Sequence, residues 1–114
     1  VKLPNVELAA VPEAKLTGYL LSTTHRDGRH KAAFFLSFGF SAAGWRALAA
    51  ALLTHAGEHE VARVESSPFG TRYVVEGTIK TPSGRTPNIR PVWFVENNQD
   101  TARFVTAYPL EGAK

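Results

Sequence analysis

Residues Phe69 to Pro109 read FGTRYVVEGTIKTPSGRTPNIRPVWFVENNQDTARFVTAYP. The period of the apolar positions in this stretch decides the fold. From Thr71 to Lys80 the period is two, which is the mark of a strand with one buried face. Tyr73, Val75 and Ile79 fall on one face, and Arg72, Glu76, Thr78 and Lys80 on the other. Thr81 to Pro87, TPSGRTP, is rich in Pro and Gly and reads as a turn. Asn88 to Glu96 follows as a second strand of the stretch, with Ile89, Trp93 and Val95 on its apolar side. After the turn NNQD, Ala102 to Tyr108 forms the last strand. The stretch therefore predicts an antiparallel three-strand meander. The register of its last strand stays open. Either Val105 and Ala107 point inward and Phe104, Thr106 and Tyr108 join the open face, or the order is reversed and Arg103 joins it.

Working outward, Glu60 to Glu65 is a further strand, ended by Ser67-Pro68. Earlier still the period becomes helical. Pro12 suits a first helical position, where its missing N–H would be unpaired anyway, and Leu16, Tyr19 and Leu20 recur at helical spacing up to about Leu21. A second helix runs from about Arg29 to Phe38, with Phe34, Phe35 and Phe38 on one face and Gly39 as its left-handed stop. The third begins after Ser41, a suitable N-cap, and stops at Gly57. Its stripe is Trp45, Leu48, Ala49, Leu52 and Ala56. Val6 and Leu8 alternate with polar residues, as in a short edge strand. Helices followed by strands predict an α+β fold, with N-terminal helices packed on one face of a four-stranded antiparallel sheet. Such a sheet can leave its other face open to solvent.

The 114 residues, 1–114, are expected to form a single domain. The chain has no cysteine, which excludes a disulfide framework, thiolate zinc and a cysteine nucleophile, and fits a reducing, cytoplasmic setting. No apolar run is long enough to span a membrane, and the first residues lack the pattern of a signal peptide. The sequence contains no methionine, even at its start, consistent with a piece of a larger parent protein. A net charge of +3 permits a polyanionic partner without requiring one.

Chemistry-bearing residues gather in two places. The face opposite the predicted core carries Arg72, Glu76, Thr78, Lys80, Arg90 and Phe94, with Thr106 and Tyr108 or Arg103 according to register. Cations, hydroxyls and aromatic rings on one face suit RNA, since they meet phosphates, ribose edges and unpaired bases respectively. The loop HRDGRHK adds His25 and Lys31. A histidine there can exchange protons near neutral pH, and Lys31 and Lys15 can contact phosphate. Basic residues in the first turn of a helix oppose its macrodipole, which slightly favours a functional reason for them. The plain alternative is a solvated sheet face and exposed helix residues. His55 and His59 stand at metal-ligand spacing but lack a third ligand, so neither a metal nor a cofactor is expected.

Several stretches together resemble an uncharacterised family of small bacterial and phage-associated domains of unknown function, found also in toxin-like contexts. They are Lys15-Leu16 with Tyr19-Leu20-Leu21, Gly28, Lys31, Gly39-Phe40, Gly70 with Arg72-Tyr73, Gly77, Pro82-Ser83-Gly84-Arg85, Trp93 and Val105-Thr106-Ala107-Tyr108-Pro109. The ordering of helices before a four-stranded sheet, and the ending Thr106 to Pro109, are more distantly similar to the barnase–EndoU–colicin–RelE class of ribonuclease toxins. That resemblance implies catalytic roles for Thr106 and Tyr108, with Arg72 as phosphate cation and His25 or Lys31 as proton-transfer group. This sequence differs from histidine-based members in having no histidine in the Phe69–Pro109 stretch. Lys15, Lys80, Arg85, Arg90 and Arg103 are the expected substrate-binding residues.

The expectation is thus a metal-independent ribonuclease-like domain of toxin type. RNA is its expected substrate, and a cognate inhibitor protein its expected protein partner. The rivals are a non-catalytic protein- or nucleic-acid-binding module of the same fold, and an oligomerising domain using the alanine-rich third helix.

Overall fold

The computed structural model describes residues 1–110. Its helices precede its strands. A helical turn at Glu13–Lys15 continues with π geometry over Leu16–Leu20, and the two together form α1. Arg29–Ser37 is α2 and Trp45–Glu58 is α3. The strands are β1 (Val61–Ser67), β2 (Gly70–Val75), β3 (Gly77–Thr78), β4 (Asn88–Glu96) and β5 (Arg103–Pro109). The fold is α+β, with an antiparallel sheet as expected.

Five strands replace the predicted four because the run Thr71 to Lys80 is interrupted at Glu76. β2 and β3 both pair with β4, and Val74↔Val92 and Gly77↔Ile89 continue a single register across the break. β1 lies outside β2, and β5 pairs with the other side of β4. Ile79 lies beyond the strand yet is still buried. The predicted edge strand at Val6 and Leu8 is instead a short 3-10 turn, Val6–Leu8. Strand pairing from this segment is confined to Ala10, bridged in parallel to Arg103. The third helix starts at Trp45. Ser41 caps the turn before it, accepting the Gly44 amide at 3.1 Å, and the helix runs through Gly57 to Glu58.

One face of the sheet meets the helices. Val75, Ile89, Trp93, Phe104 and Ala107 pack with Leu16, Leu20, Phe35, Leu48 and Leu52, and Tyr73 and Val95 lie at the margin. The β5 register combines the two alternatives. Between Thr106, opposite Val92, and Phe104, opposite Trp93, the register slips at Val105. This bulge gives two residues on β5 to one on β4 and re-aims the side chains beyond it. Phe104 and Ala107 are therefore both buried in the core, while Arg103 and Tyr108 are both exposed.

At the far end of α3, His55 is buried and donates from Nε2 to the Gly77 carbonyl at 3.0 Å. His59 makes the matching bond to the Thr78 carbonyl at 2.8 Å, with the two rings 4.5 Å apart. The pair ties α3 to β3. Burial lowers the His55 pKa to about 4. The Gly77 bond opposes the shift, the nearby His59 adds to it and the Glu58 carboxylate opposes it. Between about pH 6.5 and 4 the unfolded chain takes up a proton that the folded chain refuses, so stability falls as pH falls. By pH 4.5 this one group is expected to have removed about 2 kcal/mol. Denaturant midpoints at pH 7 and 4.5 check this. His55→Gln should show a smaller drop than the unaltered protein, and an equal drop would sink the assignment.

Candidate functional site

The residues that converge lie at the outer edge of β5, beyond the Ala10 bridge. Three polar groups from distant segments form a triangle there. Lys31 Nζ donates to Tyr19 Oη at 2.7 Å and to Thr106 Oγ1 at 2.9 Å, and Tyr19 Oη and Thr106 Oγ1 are 2.9 Å apart. The ammonium also lies 4.1 Å from the centre of the Tyr108 ring and 5.2 Å from that of Tyr19. A cation over a ring face is attracted by the ring quadrupole. Lys31 is thus held by two oxygens and two rings, and among the described residues no carboxylate lies within ion-pair distance of it.

Local sequence places each member. Tyr19 sits in the π segment, where the Leu21 amide reaches back to the Leu16 carbonyl at 2.7 Å. Such single turns often mark functional positions. Leu16 and Leu20 are wholly buried and anchor that turn, while Tyr19 stays partly exposed beside them. Gly28 lets the start of α2 abut this turn, since a Cβ there would stand 2.3 Å from the Tyr19 carbonyl oxygen. Lys31 follows within the first turn of α2. Thr106 is positioned by the bulge, and Tyr108 follows it on the same side of β5.

Burial alone would raise the Tyr19 pKa. The hydrogen bonds from Lys31 and Thr106 and the charges of Lys31 and Lys15 outweigh it, so the phenol lies below its ordinary value. A cation bonded to the oxygen favours the phenolate and makes the neutral phenol a readier proton donor.

His25 packs edge-on against Tyr19, with ring centres 5.0 Å apart. Its Nδ1 accepts the amides of Asp27 and Gly28, both at 3.0 Å. Nε2 therefore carries the proton, and the ring in this pose offers a donor and no free lone pair. Lys15 belongs to the same neighbourhood, 5.9 Å from the Tyr19 ring centre.

The structure does not bring Arg72 into this cluster. Arg72 lies on β2 opposite Phe94, two strands from β5, and faces Glu65 at 3.8 Å. Arg90 stands opposite Tyr108 and is paired with Glu76 at 2.7 Å. Arg103 is paired with Glu96 at 3.2 Å and lies 5.5 Å from the Phe94 ring centre. Lys80 lies off the open face, beside Thr54, His55 and Glu58 of α3. Arg85 is in an exposed turn tied to the end of α2 through the Ser83 amide and the Phe38 carbonyl, 3.1 Å.

Sequence reasoning missed Tyr19, which helical spacing assigns to the buried stripe. Its phenol is the usable signal, because a buried or half-buried Tyr O–H needs a partner. Among the described residues no cluster of His, Asp and Glu could hold a metal ion, and no helix is long and apolar enough to cross a membrane.

The fold has a solved counterpart. One chain of a contact-dependent growth inhibition toxin–immunity protein complex from Klebsiella pneumoniae 342 superposes with a TM-score of 0.69 at 17% identity, over 89% of this chain and 99% of that one. No curated protein matches the sequence. A family model does match, over residues 2–111, and by it the chain belongs to the family described as Domain of unknown function (DUF6883).

Proposed function

We propose that the domain is a metal-independent endoribonuclease of toxin type, acting at the Tyr19–Lys31–Thr106–Tyr108 cluster. The carrying observation is the Lys31 ammonium, bonded to both hydroxyls, stacked on two rings and without a carboxylate partner among the described residues. A cation so placed offers its charge to a phosphate. In the cleavage, the 2′-hydroxyl attacks phosphorus and the 5′-oxygen leaves. Lys31 stabilises the charge gathering on the phosphoryl oxygens. Tyr19 gives its proton to the leaving oxygen, and the proton from the 2′-hydroxyl passes to solvent. Thr106 holds the phenol in place, and Tyr108 shields the ammonium on its open side. A positioned general acid contributes about 10²–10⁴ in rate. Lys15 and Arg90 are the substrate-binding residues nearest this centre. Arg72 has no part in the proton transfer.

A toxin-related role agrees with the fold shared with a chain of a toxin–immunity complex. It implies a cognate inhibitor protein as partner and cytoplasmic RNA as target.

The test is incubation of the purified domain with RNA in excess chelator. Fragments ending in 2′,3′-cyclic phosphate and beginning with 5′-hydroxyl are expected. The rate should fall in alkali as Tyr19 loses its proton, with a midpoint below the ordinary phenol value of about 10. Intact RNA under these conditions refutes the proposal and favours a binding module of the same fold.

A further inference from the structure

The open face carries a second feature beside the cluster. Residues on one face of a strand are about 7 Å apart along it, and the pairing sets three rows across the sheet. Glu76, Arg90 and Tyr108 form one, Val74, Val92 and Thr106 the next, and Glu65, Arg72, Phe94 and Arg103 the third. The third row surrounds a depression of about 380 Å³, also lined by Val92 and by Val105 at the bulge. Its floor is apolar, since Val92 is wholly buried, and Phe94 is partly exposed at its side. Gly70 makes room for that ring, because a Cβ there would stand 2.8 Å from Phe94 Cζ. Arg103 lies 5.5 Å from the ring centre, and the loose Glu65–Arg72 pair, 3.8 Å, supplies an acceptor and a donor on the opposite wall.

We propose that this depression binds one unpaired nucleobase of a single-stranded RNA, stacked on Phe94, while the neighbouring phosphate rests at Lys31. The inference rests on the ribonuclease reading and names its substrate as single-stranded. An aromatic ring provides the stacking platform, Arg103 and Arg72 donate to base carbonyls, and the Glu65 carboxylate accepts from base N–H groups. The arginines of this face are each paired with a glutamate. A phosphate chain is therefore drawn to Lys31 and Lys15 at the β5 edge, which have no carboxylate partner among the described residues, and the sheet face is left for the base. Thr106, which holds Lys31, lies one strand and one row from Phe94, so the base and phosphate sites are neighbours on the sheet.

The test uses binding, so that it does not depend on cleavage. A fluorescent single-stranded oligonucleotide carrying 2′-deoxyribose at the cleavage position is titrated against the domain, beside the same strand with one base removed next to that position. The intact strand is expected to bind about 5- to 150-fold more tightly, the range for one stacked base. Phe94→Leu, which keeps apolar bulk, should clearly shrink the difference, by the share that stacking contributes, while leaving the affinity for the abasic strand unchanged. Equal binding of both strands by the unaltered domain overturns the subsite while leaving the cleavage reading standing. The same holds if Phe94→Leu retains the full difference. Failure to bind either strand overturns both readings.

Discussion

Lys31→Met is expected to lower RNA cleavage about 100-fold or more at neutral pH without unfolding the domain. Two losses combine. The phosphate loses the charge that stabilises its transition state, for which one well-placed donor is worth about 10²–10³ in rate. Tyr19 also loses the hydrogen bond and charge that hold its pKa down, so its proton transfer slows. The fold should tolerate the change, because Tyr19 Oη and Thr106 Oγ1 still bond to each other at 2.9 Å and the Met side chain keeps the apolar stem. Single-turnover cleavage in chelator, with a thermal melt of each protein, separates chemistry from stability. A variant that keeps its activity would remove Lys31 from the mechanism.

Phe104→Ala is expected to cost about 3–5 kcal/mol, the range for removing a buried aromatic ring from a packed core. Phe104 is wholly buried and meets Trp93 edge-on at 5.6 Å. That amounts to a large share of the roughly 5–15 kcal/mol of a whole domain. The loss also reaches the site. Phe104 and Ala107 both point inward only because β5 bulges at Val105, so they fix the register that carries Thr106. Chemical denaturation measures the cost. A loss under about 1 kcal/mol would mean that the β5 register is held by something else.

Much of this arrangement was readable in the sequence, and the exceptions have physical reasons. Asn88 to Glu96 is bounded by two turns, and β4 has those same ends, although Pro91 to Val95 is an unbroken apolar run. The stripe Leu48, Leu52 and Ala56 is buried as its spacing requires. Ile79 was correctly assigned to the core although the strand had already ended, because burial outlasts hydrogen-bonded pairing there. The bulge at Val105 was not readable. A one-residue slip depends on what stands across the sheet, and TARFVTAYP accommodates either register. Lys31, Thr106 and Tyr108 were named as candidates from their residue types and from the resemblance to ribonuclease toxins, and the structure brings them together. Tyr19 was not, because its partners lie 12 and 87 residues away and its spacing matches that of its buried neighbours Leu16 and Leu20. Arg72 was grouped with them by the resemblance and by its sheet face, and a sheet face is wide enough to hold two separate sites.

The proposed mechanism turns on proton transfer from Tyr19 at the Lys31 cluster. Its most direct measurement is the single-turnover rate of RNA cleavage in chelator for Tyr19→Phe against the unaltered protein, taken across pH 6 to 10. A loss of about 100-fold or more at pH 7 is expected, with an unchanged melting temperature and disappearance of the alkaline fall in rate. A Tyr19→Phe protein that cleaves at the full rate with the same alkaline limb would contradict it.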